Sequence, residues 1–200
     1  RMPASALASM CAQVNVSWVF HDEASSPTAL TLASAGVHRA SFGDLAAWVD
    51  RAAPMSTAPA CCGTELAAIL FTSGSTGTPR PVELTHEVMW WGSTNFREGF
   101  DYAPTSSVVG VCAPASHIGG FNGTSMDVWT HGGTLVTLGF PGSFDARGVL
   151  DAIARYGITM MFAVPAIVRA LLDEHERGGG DLSSWTRPLI GGDAMTADLA

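Results

Sequence analysis

The residues best equipped for chemistry lie in one short loop, where hydroxyl side chains and glycines precede a single arginine. Backbone N–H groups in such a loop can turn toward an anion because glycine has no Cβ to obstruct them. The hydroxyl groups add further donors, and the guanidinium adds a fixed positive charge. This combination predicts a phosphate-binding loop, with the candidate residues Thr72, Ser73, Gly74, Ser75, Thr76, Gly77 and Arg80.

Rigid elements are predicted on both sides of this loop. The apolar run 67–71 is typical of a buried strand. Thr85 is a suitable N-cap for a helix over about 86–100. Because most glycine-rich loops are simply turns, these residues by themselves are compatible with an ordinary turn as well as with an anion site.

The string from Thr72 to Arg80 is more specific, because it resembles the signature loop of the adenylate-forming superfamily, T-S-G-[ST]-T-G-x-P-K-G. That superfamily comprises acyl- and aryl-CoA synthetases, luciferases and the adenylation domains of peptide synthetases. The match runs from Thr72 through Pro79, then Arg80 replaces lysine and Pro81 replaces glycine. Arginine keeps the charge on a broader planar group, whereas proline removes an N–H and fixes φ, so we expect a stiffer loop. No Gly-Lys-[Ser/Thr] follows the glycines, which excludes a Walker loop.

A second motif, Pro-Ala-Ser-His-Ile-Gly-Gly at 114–120, directly follows a predicted strand. From the residues alone, His117 is more often a packed or capping side chain than a catalyst. The motif resembles the P-x-x-H-x-x-G stretch of acyl- and aryl-CoA synthetases, which implies that His117 lies by the acyl pocket and the thioester channel. The small residues Gly119, Gly120 and Gly123 are compatible with room for an acyl or aryl group, although small residues three or four positions apart more often indicate close packing. Amino-acid-activating relatives carry an aspartate where this chain has Gly119, so an acid without an α-amino group is expected.

The chain closes on a third motif, in which Gly191, Gly192 and Asp193 follow a predicted strand. A Gly-Gly pair by itself indicates only a tight turn. These residues resemble the family's G-G-[AE] turn, and the resemblance implies that their backbone lies along the adenine and the acyl pocket. Together with the loop residues, they are the candidate nucleotide-binding residues.

Composition excludes several classes of protein. The 200 residues are 47% hydrophobic and 14% charged, which is typical of a globular chain, and the formal charge is −8. All ten basic residues are arginines, so no catalytic lysine lies in this chain. The arginines are scattered, which argues against nucleic-acid binding. We expect no dedicated metal site, no transmembrane segment, four reduced cysteines and a cytoplasmic location.

The order of predicted elements indicates a layered αβα fold with a largely parallel sheet. The resemblance implies that this sheet is part of the N-terminal domain of the adenylate-forming fold, that residues 1–60 match that domain loosely, that 61–200 form its AMP-binding core, and that the C-terminal lid domain is absent. Residues 53–60 are the best linker candidate. Strands are predicted at 14–20, 29–33, 67–71, 108–113, 134–138, 159–164 and 188–190, and helices at 5–13, 42–51, 86–100, 119–131, 145–156 and 166–176.

The resemblance implies ATP-dependent activation of a fatty or aryl acid to an acyl adenylate, followed by thioester formation with CoA. Mg²⁺ is expected to arrive with ATP, and Thr72, Arg80 and His117 are the candidate catalytic residues. A chain without the lid domain and its lysine is expected not to turn over alone.

Other functions stay open on the sequence. A non-catalytic nucleotide- or acyl-binding relative is the main alternative, because of Arg80 and Pro81. A serine hydrolase is weaker, since no G-x-S-x-G elbow occurs. A carrier protein in place of CoA, or a luciferase-like oxidation, also remains compatible.

Overall fold

The computed structural model describes residues 2–72, 79–139 and 144–196. The described chain forms two compact units. Unit 1 contains Arg1–Cys62 with Phe71–Glu83, and unit 2 contains Gly63–Leu70 with Leu84–Ala200. The predicted division into 1–60 and 61–200 concerns correspondence to the family and stays a prediction.

Unit 1 pairs two short parallel strands with three helices. Its elements are α1 (Ala4–Gln13), β1 (Trp18–His21), α2 (Ser26–Ser34), β2 (His38–Ser41) and α3 (Phe42–Arg51). Strands β1 and β2 are in register from Trp18 opposite His38 to His21 opposite Ser41. Helix α3 begins where predicted, because Ser41 and Asp44 form a reciprocal capping box.

Two predictions in unit 1 are wrong. Residues 29–33 were expected as a strand but belong to α2, where Pro27 lies in the first turn and the buried Ala29 and Leu32 recur at helical spacing. The strand expected over 14–20 is confined to β1, because Asn15 adopts a left-handed φ of 52° and ends the preceding helix. Strand β2 was not predicted.

The candidate loop lies between β3 (Leu66–Phe71) and β4 (Pro81–Thr85), which form a two-stranded sheet. Strand β3 was predicted and β4 was not. Helix α4 (His86–Phe100) has the predicted bounds, since the Thr85 hydroxyl accepts a hydrogen bond from the Val88 N–H at 3.2 Å.

Unit 2 is built on a four-stranded parallel sheet in the order β6-β5-β7-β8. Its further elements are β5 (Val108–Val111), a π-helix (Gly119–Met126), α5 (Asp127–His131), β6 (Thr134–Thr137), α6 (Ala146–Tyr156), β7 (Met160–Ala163), α7 (Pro165–Glu176) and β8 (Arg187–Ile190). The predicted α/β class with a largely parallel sheet is therefore confirmed.

Both faces of this sheet are covered, as layered packing requires. On β5, Val109 and Val111 join a core cluster with Val128 of α5. Val108 packs against a second cluster that includes Leu150 of α6. Neighbouring residues of one strand thus enter different clusters, because successive side chains of a strand point to opposite faces.

One predicted helix has an unexpected form. Residues 119–131 begin as a π-helix and continue as α5 only from Asp127. The hydroxyl of Ser125 donates to the Gly120 carbonyl at 2.6 Å, and that of Thr124 donates to the Gly119 carbonyl at 2.9 Å. π-Helical turns are rare in proteins. Where they occur, they often lie at a functional site.

Candidate functional site

Thr72 and Arg80 close the stem of the candidate phosphate loop. The Thr72 N–H donates to the Arg80 carbonyl at 3.0 Å, and the Arg80 N–H donates to Thr72 Oγ1 at 3.2 Å. Because Oγ1 accepts from Arg80, its own hydrogen is left to donate elsewhere. The candidate residues Ser73, Gly74, Ser75, Thr76 and Gly77 lie outside the described residues.

The side chain of Arg80 is exposed and forms no ion pair within the described ranges. Pro81, the second departure from the family pattern, is the first residue of β4. Proline is tolerated at that position of a strand because the missing N–H is not needed there. The backbone at the stem therefore accommodates Pro81 while it keeps both hydrogen bonds between Thr72 and Arg80.

His117 lies in a tight turn after β5, where its ring is exposed and oriented by the backbone. Its Nδ1 accepts a hydrogen bond from the Gly119 N–H at 3.1 Å. Since Nδ1 accepts, the proton of the neutral ring is on Nε2, which is therefore a donor. The His117 carbonyl accepts from the N–H groups of Gly120 and Phe121, so the turn leads directly into the π-helix.

The two glycines that follow His117 have different environments. A Cβ on Gly120 would collide with the Pro114 carbonyl oxygen and would lie 2.6 Å from that of Ala113. A Cβ on Gly119 would meet only the His117 ring, with Nδ1 at 3.4 Å and Cε1 at 3.9 Å. Glycine is thus required at 120 by close backbone approach, whereas at 119 a small side chain would fit.

A cavity of about 540 Å³ adjoins this turn within unit 2. It lies at the carboxyl edge of the parallel sheet, where ligands of open α/β sheets usually bind. Apart from the Ser125 and Thr137 hydroxyls its lining is apolar, and none of the lining residues is charged. The lining includes Cys112, Ala113, Pro114, Ala115, Gly120, Ser125, Trp129, Leu135, Thr137, Phe144 and Ile167. Of the candidate substrate residues, Gly120 lines the cavity, and His117 and Gly119 lie in the adjoining turn.

Gly191, Gly192 and Asp193 follow β8 at the same edge of the sheet. The Gly191 N–H donates to the Ala163 carbonyl at 3.2 Å, which extends the pairing of β8 with β7. Gly192 has a φ of +85°, a conformation that favours glycine. The exposed Asp193 accepts a hydrogen bond from the Ala194 N–H at 2.8 Å. The turn therefore presents backbone and one carboxylate at the edge that also carries the His117 turn.

Burial affects one further residue of the cavity. Cys112 is partly buried, and its sulfur lies 3.4 Å from Met161 Sδ. Burial raises the pKa of the Cys112 thiol to about 12. The thiol is therefore protonated near neutral pH and contributes to the cavity as an apolar group.

The described ranges contain no group of three or more His, Cys, Asp or Glu side chains that could hold a metal ion. No helix in the described part of the chain is long and apolar enough to cross a membrane.

A buried polar cluster between α4 and α5 of unit 2 was not predicted from the sequence. Asp127 is fully buried and accepts hydrogen bonds from Tyr102 Oη at 2.8 Å and from Arg97 Nη1 at 3.2 Å. Arg97 also donates to His131 Nε2 at 2.7 Å. The cluster ties α4 to α5 next to the π-helix. The one feature of the local sequence that pointed to this cluster was the i, i+4 spacing of Asp127 and His131.

The whole chain, residues 1–200, matches the family model described as AMP-binding enzyme. Among curated proteins, it is 32% identical to a feruloyl-CoA synthase from an Amycolatopsis species over 66% of this chain and 26% of that protein. It is 33% identical to the sulfoacetate–CoA ligase of Cupriavidus necator over 54% of this chain and 20% of that protein. The matched part of the chain thus spans between a fifth and about a quarter of the length of these relatives.

Solved structures share the fold. The inhibitor-bound N-terminal domain of FACL13 from Mycobacterium tuberculosis has a TM-score of 0.84 at 22% identity, covering 100% of this chain and 50% of that one. The O-succinylbenzoate CoA synthetase of Bacillus subtilis, in complex with AMP, has a TM-score of 0.81 at 19% identity, covering 100% and 48%.

Proposed function

The chain belongs to the AMP-binding enzyme family, and we propose that it serves the ATP-dependent activation of a fatty or aryl acid and its transfer to CoA. In the first step a carboxylate oxygen bonds to the α-phosphorus of ATP, and pyrophosphate leaves with the electrons of the broken P–O bond. In the second step the CoA thiol loses its proton, its sulfur bonds to the acyl carbon, and AMP leaves. The first step needs alignment and charge neutralisation more than covalent help from the protein.

Thr72 and Arg80 are the proposed phosphate ligands among the described residues. Thr72 fits this role because its hydroxyl hydrogen is left for an outside acceptor, and Arg80 fits because its guanidinium is exposed and unpaired within the described ranges. Charge-assisted hydrogen bonds of this kind are about twice as strong as neutral ones. Ser73, Gly74, Ser75, Thr76 and Gly77 complete the proposed loop. The proposed Mg²⁺ would enter with the nucleotide, since Mg²⁺ at such sites is held largely by phosphates and water.

The observation that carries the proposal is the apolar cavity beside the His117 turn. Its volume of about 540 Å³ suits an aryl or medium-length acyl group, within the roughly 300–1,000 Å³ usual for ligand pockets. Because the lining residues carry no charge, the cavity would take the apolar part of the acid, and the carboxylate would stay at its mouth. None of the described lining residues carries a carboxylate that would pair with an α-ammonium group, which favours an acid without one. His117 would border the acyl group and offer its Nε2 hydrogen.

We assign the nucleotide base to the turn of Gly191, Gly192 and Asp193. This turn lies at the same edge of the sheet as the cavity, and its backbone is accessible because two successive residues lack a Cβ. CoA is the proposed acceptor because the feruloyl and sulfoacetate relatives are CoA ligases by name. A carrier protein is the alternative acceptor, since a fatty acid–[acyl-carrier-protein] ligase from Streptomyces coeruleorubidus is 30% identical over 65% of the chain.

The decisive experiment measures acid-dependent ATP–pyrophosphate exchange by a polypeptide that carries the full chain, across fatty, aryl and amino acids. The variant Ala115→Phe narrows the cavity from an exposed position on its lining. The matched control Ala154→Phe makes the same change on the exposed surface of α6. We expect exchange with aryl or fatty acids, a shift toward shorter acids in Ala115→Phe, and no shift in the control.

Exchange that responds only to amino acids would contradict the proposed substrate class. Unchanged acid preference in Ala115→Phe would show that the acid does not occupy this cavity. If no acid supports exchange while ATP still binds, the adenylating function itself is wrong.

The departures at Arg80 and Pro81 favour one alternative, a non-catalytic nucleotide- or acyl-binding protein. The double substitution Arg80→Lys with Pro81→Gly restores the family pattern. Because the loop stem already keeps both hydrogen bonds, we expect the exchange rate to change by less than about threefold. A gain of a hundredfold or more would indicate a loop that has lost its catalytic competence.

A further inference from the structure

Helix α5 lies between the buried polar cluster of unit 2 and the cavity of the same unit. On one side it carries Asp127 and His131, which bond to Arg97 of α4. Successive residues of an α-helix are about 100° apart, so Trp129, two positions from both Asp127 and His131, lies on the opposite side of α5. There Trp129 lines the cavity and packs edge-on against Phe121 at 6.4 Å. The position of α5 therefore sets the position of one cavity wall.

The hydrogen bonds of the cluster define the protonation state of His131. Its Nδ1 lies 2.9 Å from the Asp127 carbonyl oxygen, which only accepts, so Nδ1 carries a proton. Arg97 Nη1, which only donates, lies 2.7 Å from His131 Nε2. Nε2 therefore accepts, and the His131 ring is neutral in this arrangement. The side chain is 31% exposed, so the ring is accessible to solvent protons.

Protonation of His131 would remove the bond to Arg97. A protonated Nε2 would point an N–H at the guanidinium and bring a second positive charge next to it. Asp127 supplies one negative charge to the cluster and already accepts from Arg97 and Tyr102. The remaining ionisable side chains of α4 are exposed; they are His86, Glu87 and Glu98. No ionisable side chain lies on the other elements packed against α5, which are the π-helix, β6 and the 3₁₀ helix Pro104–Ser106.

We propose that Arg97 and His131 are positioning residues for the acid: the bond between them holds α5 and the cavity wall at Trp129 while His131 is neutral, and protonation of His131 releases that wall. Because histidine changes charge between about pH 5 and 8, the acid selectivity depends on pH in this range. The identity of the ligand rests on the proposed function. The response of Trp129 to the charge of His131 does not.

The first experiment follows both side chains by NMR in the isotopically labelled protein, without acid or nucleotide. The ¹⁵N shifts of the His131 ring report its protonation, and the indole N–H of Trp129, identified by its loss in Trp129→Phe, reports the cavity wall. At about pH 8 we expect a proton on Nδ1 and none on Nε2. As pH falls to about 5, the His131 ring and the Trp129 indole should change with one common midpoint.

Two variants locate the effect. His131→Gln keeps an uncharged acceptor for Arg97 and cannot gain a charge in this pH range, so the Trp129 indole should no longer respond to pH. His38→Gln makes the same change at an exposed histidine of unit 1, so the native response should persist.

The second experiment compares decanoate with hexanoate in ATP–pyrophosphate exchange, with 5-phenylpentanoate and 3-phenylpropionate as the corresponding aryl pair. Each pair shares its carboxylate chemistry and differs in length, so the ratio of the two kcat/KM values cancels pH effects common to both acids. We expect this ratio to change by about threefold or more between pH 8 and pH 5 in the native protein and in His38→Gln. In His131→Gln it should keep one value across the range.

A Trp129 indole that stays constant while His131 titrates would overturn the proposal. A proton on Nε2 at pH 8, or a His131 ring that stays neutral down to pH 5, would do the same, as would an acid ratio that changes equally in the native protein and in His131→Gln. If no acid supports exchange while the indole follows His131, the proposed function is wrong and the control of the wall by His131 stands. The NMR titration of the native protein decides that control even if His131→Gln fails to fold.

Discussion

Replacing Tyr102 by phenylalanine tests how much the buried carboxylate of Asp127 depends on its partners. The substitution removes one oxygen and leaves the ring, which packs at 6.3 Å edge-to-face on Phe96. Tyr102 is 5% exposed and Asp127 is fully buried, so water cannot easily replace the lost donor. Of its side-chain partners among the described residues, Asp127 would keep Arg97 and the nearby His131 ring.

The expected loss follows from the strength of that bond. A hydrogen bond to a charged group contributes about 1.5–3 kcal/mol, and the 2.8 Å distance from Tyr102 Oη to Asp127 Oδ2 is short. We therefore expect Tyr102→Phe to lower the free energy of unfolding of unit 2 by about 2 kcal/mol. For a chain of this length, that corresponds to a fall in Tm of roughly 4–8 °C.

The chain contains only one other tyrosine, which provides a matched control. Tyr156 is 50% exposed at the end of α6, with the Arg155 guanidinium over its ring. Tyr156→Phe makes the identical chemical change at the surface and should cost less than about 0.5 kcal/mol. Urea unfolding, with hydrogen exchange of the α5 amides to report on unit 2, measures both variants.

The same bond predicts a dependence on alkaline pH. Burial and the hydrogen bond to Asp127 raise the pKa of Tyr102 above its ordinary value of 10.0. A raised pKa in the folded state means that the stabilisation is complete below pH 10 and declines as pH rises beyond it. Tyr102→Phe should remove this decline. If Tyr102→Phe costs no more than Tyr156→Phe, and the alkaline decline persists, then the carboxylate of Asp127 does not depend on Tyr102.

Three further predictions concern the unit 2 site. His117→Ala should change the rate of ATP–pyrophosphate exchange by less than about threefold and slow thioester formation at least tenfold, relative to the native protein. Unchanged thioester formation together with unchanged acid selectivity would refute the proposed position of His117 beside the acyl group. Gly120→Ala should destabilise the protein by about 1–3 kcal/mol through backbone collision, whereas Gly119→Ala should cost less than about 1 kcal/mol in the same thermal unfolding assay. Iodoacetamide at pH 8 should alkylate the exposed Cys61 well before Cys112, because a pKa of about 12 keeps the Cys112 thiol protonated. Equal alkylation rates of the two cysteines, measured by mass spectrometry, would contradict this prediction.

Local signals predicted helix starts well, because a cap involves residues only a few positions apart. Ser41, Thr85 and Asp145 each accept a backbone hydrogen bond at the start of the predicted helix. The prediction of a strand at 29–33 was wrong because the apolar residues there fit the periodicity of a helix as well as that of a strand. Packing of Ala29 and Leu32 in the core stabilises the helix. No sequence pattern reliably predicts the π-helix. Its wider turns depend on hydrogen bonds such as the one that the Ser125 hydroxyl donates to a backbone carbonyl of the preceding turn.

The site motifs were predictable to a different extent. The turns at His117 and Gly191 follow strands β5 and β8 as expected, because glycines and prolines mark strand ends. The cavity was not predictable, since its lining joins Cys112 to Ile167 across 55 positions of the chain. Pairing of Tyr102 with Asp127 likewise depends on tertiary packing. The roles assigned to the loop residues 73–77 stay predictions.

The strand order β6-β5-β7-β8 also has a consequence for synthesis on the ribosome. Strand β5 needs β6 on one edge and β7 on the other, so its pairing is incomplete until about 50 further residues have followed Val111. At 5–20 residues per second, this apolar strand waits roughly 3–10 s with an open edge. Nascent chains stalled before β7 should therefore be captured by chaperones and cleaved by protease, and those stalled well after β8 should resist both. The arrangement that gathers the proposed ligand-binding turns at one edge of the sheet thus delays the protection of its central strand.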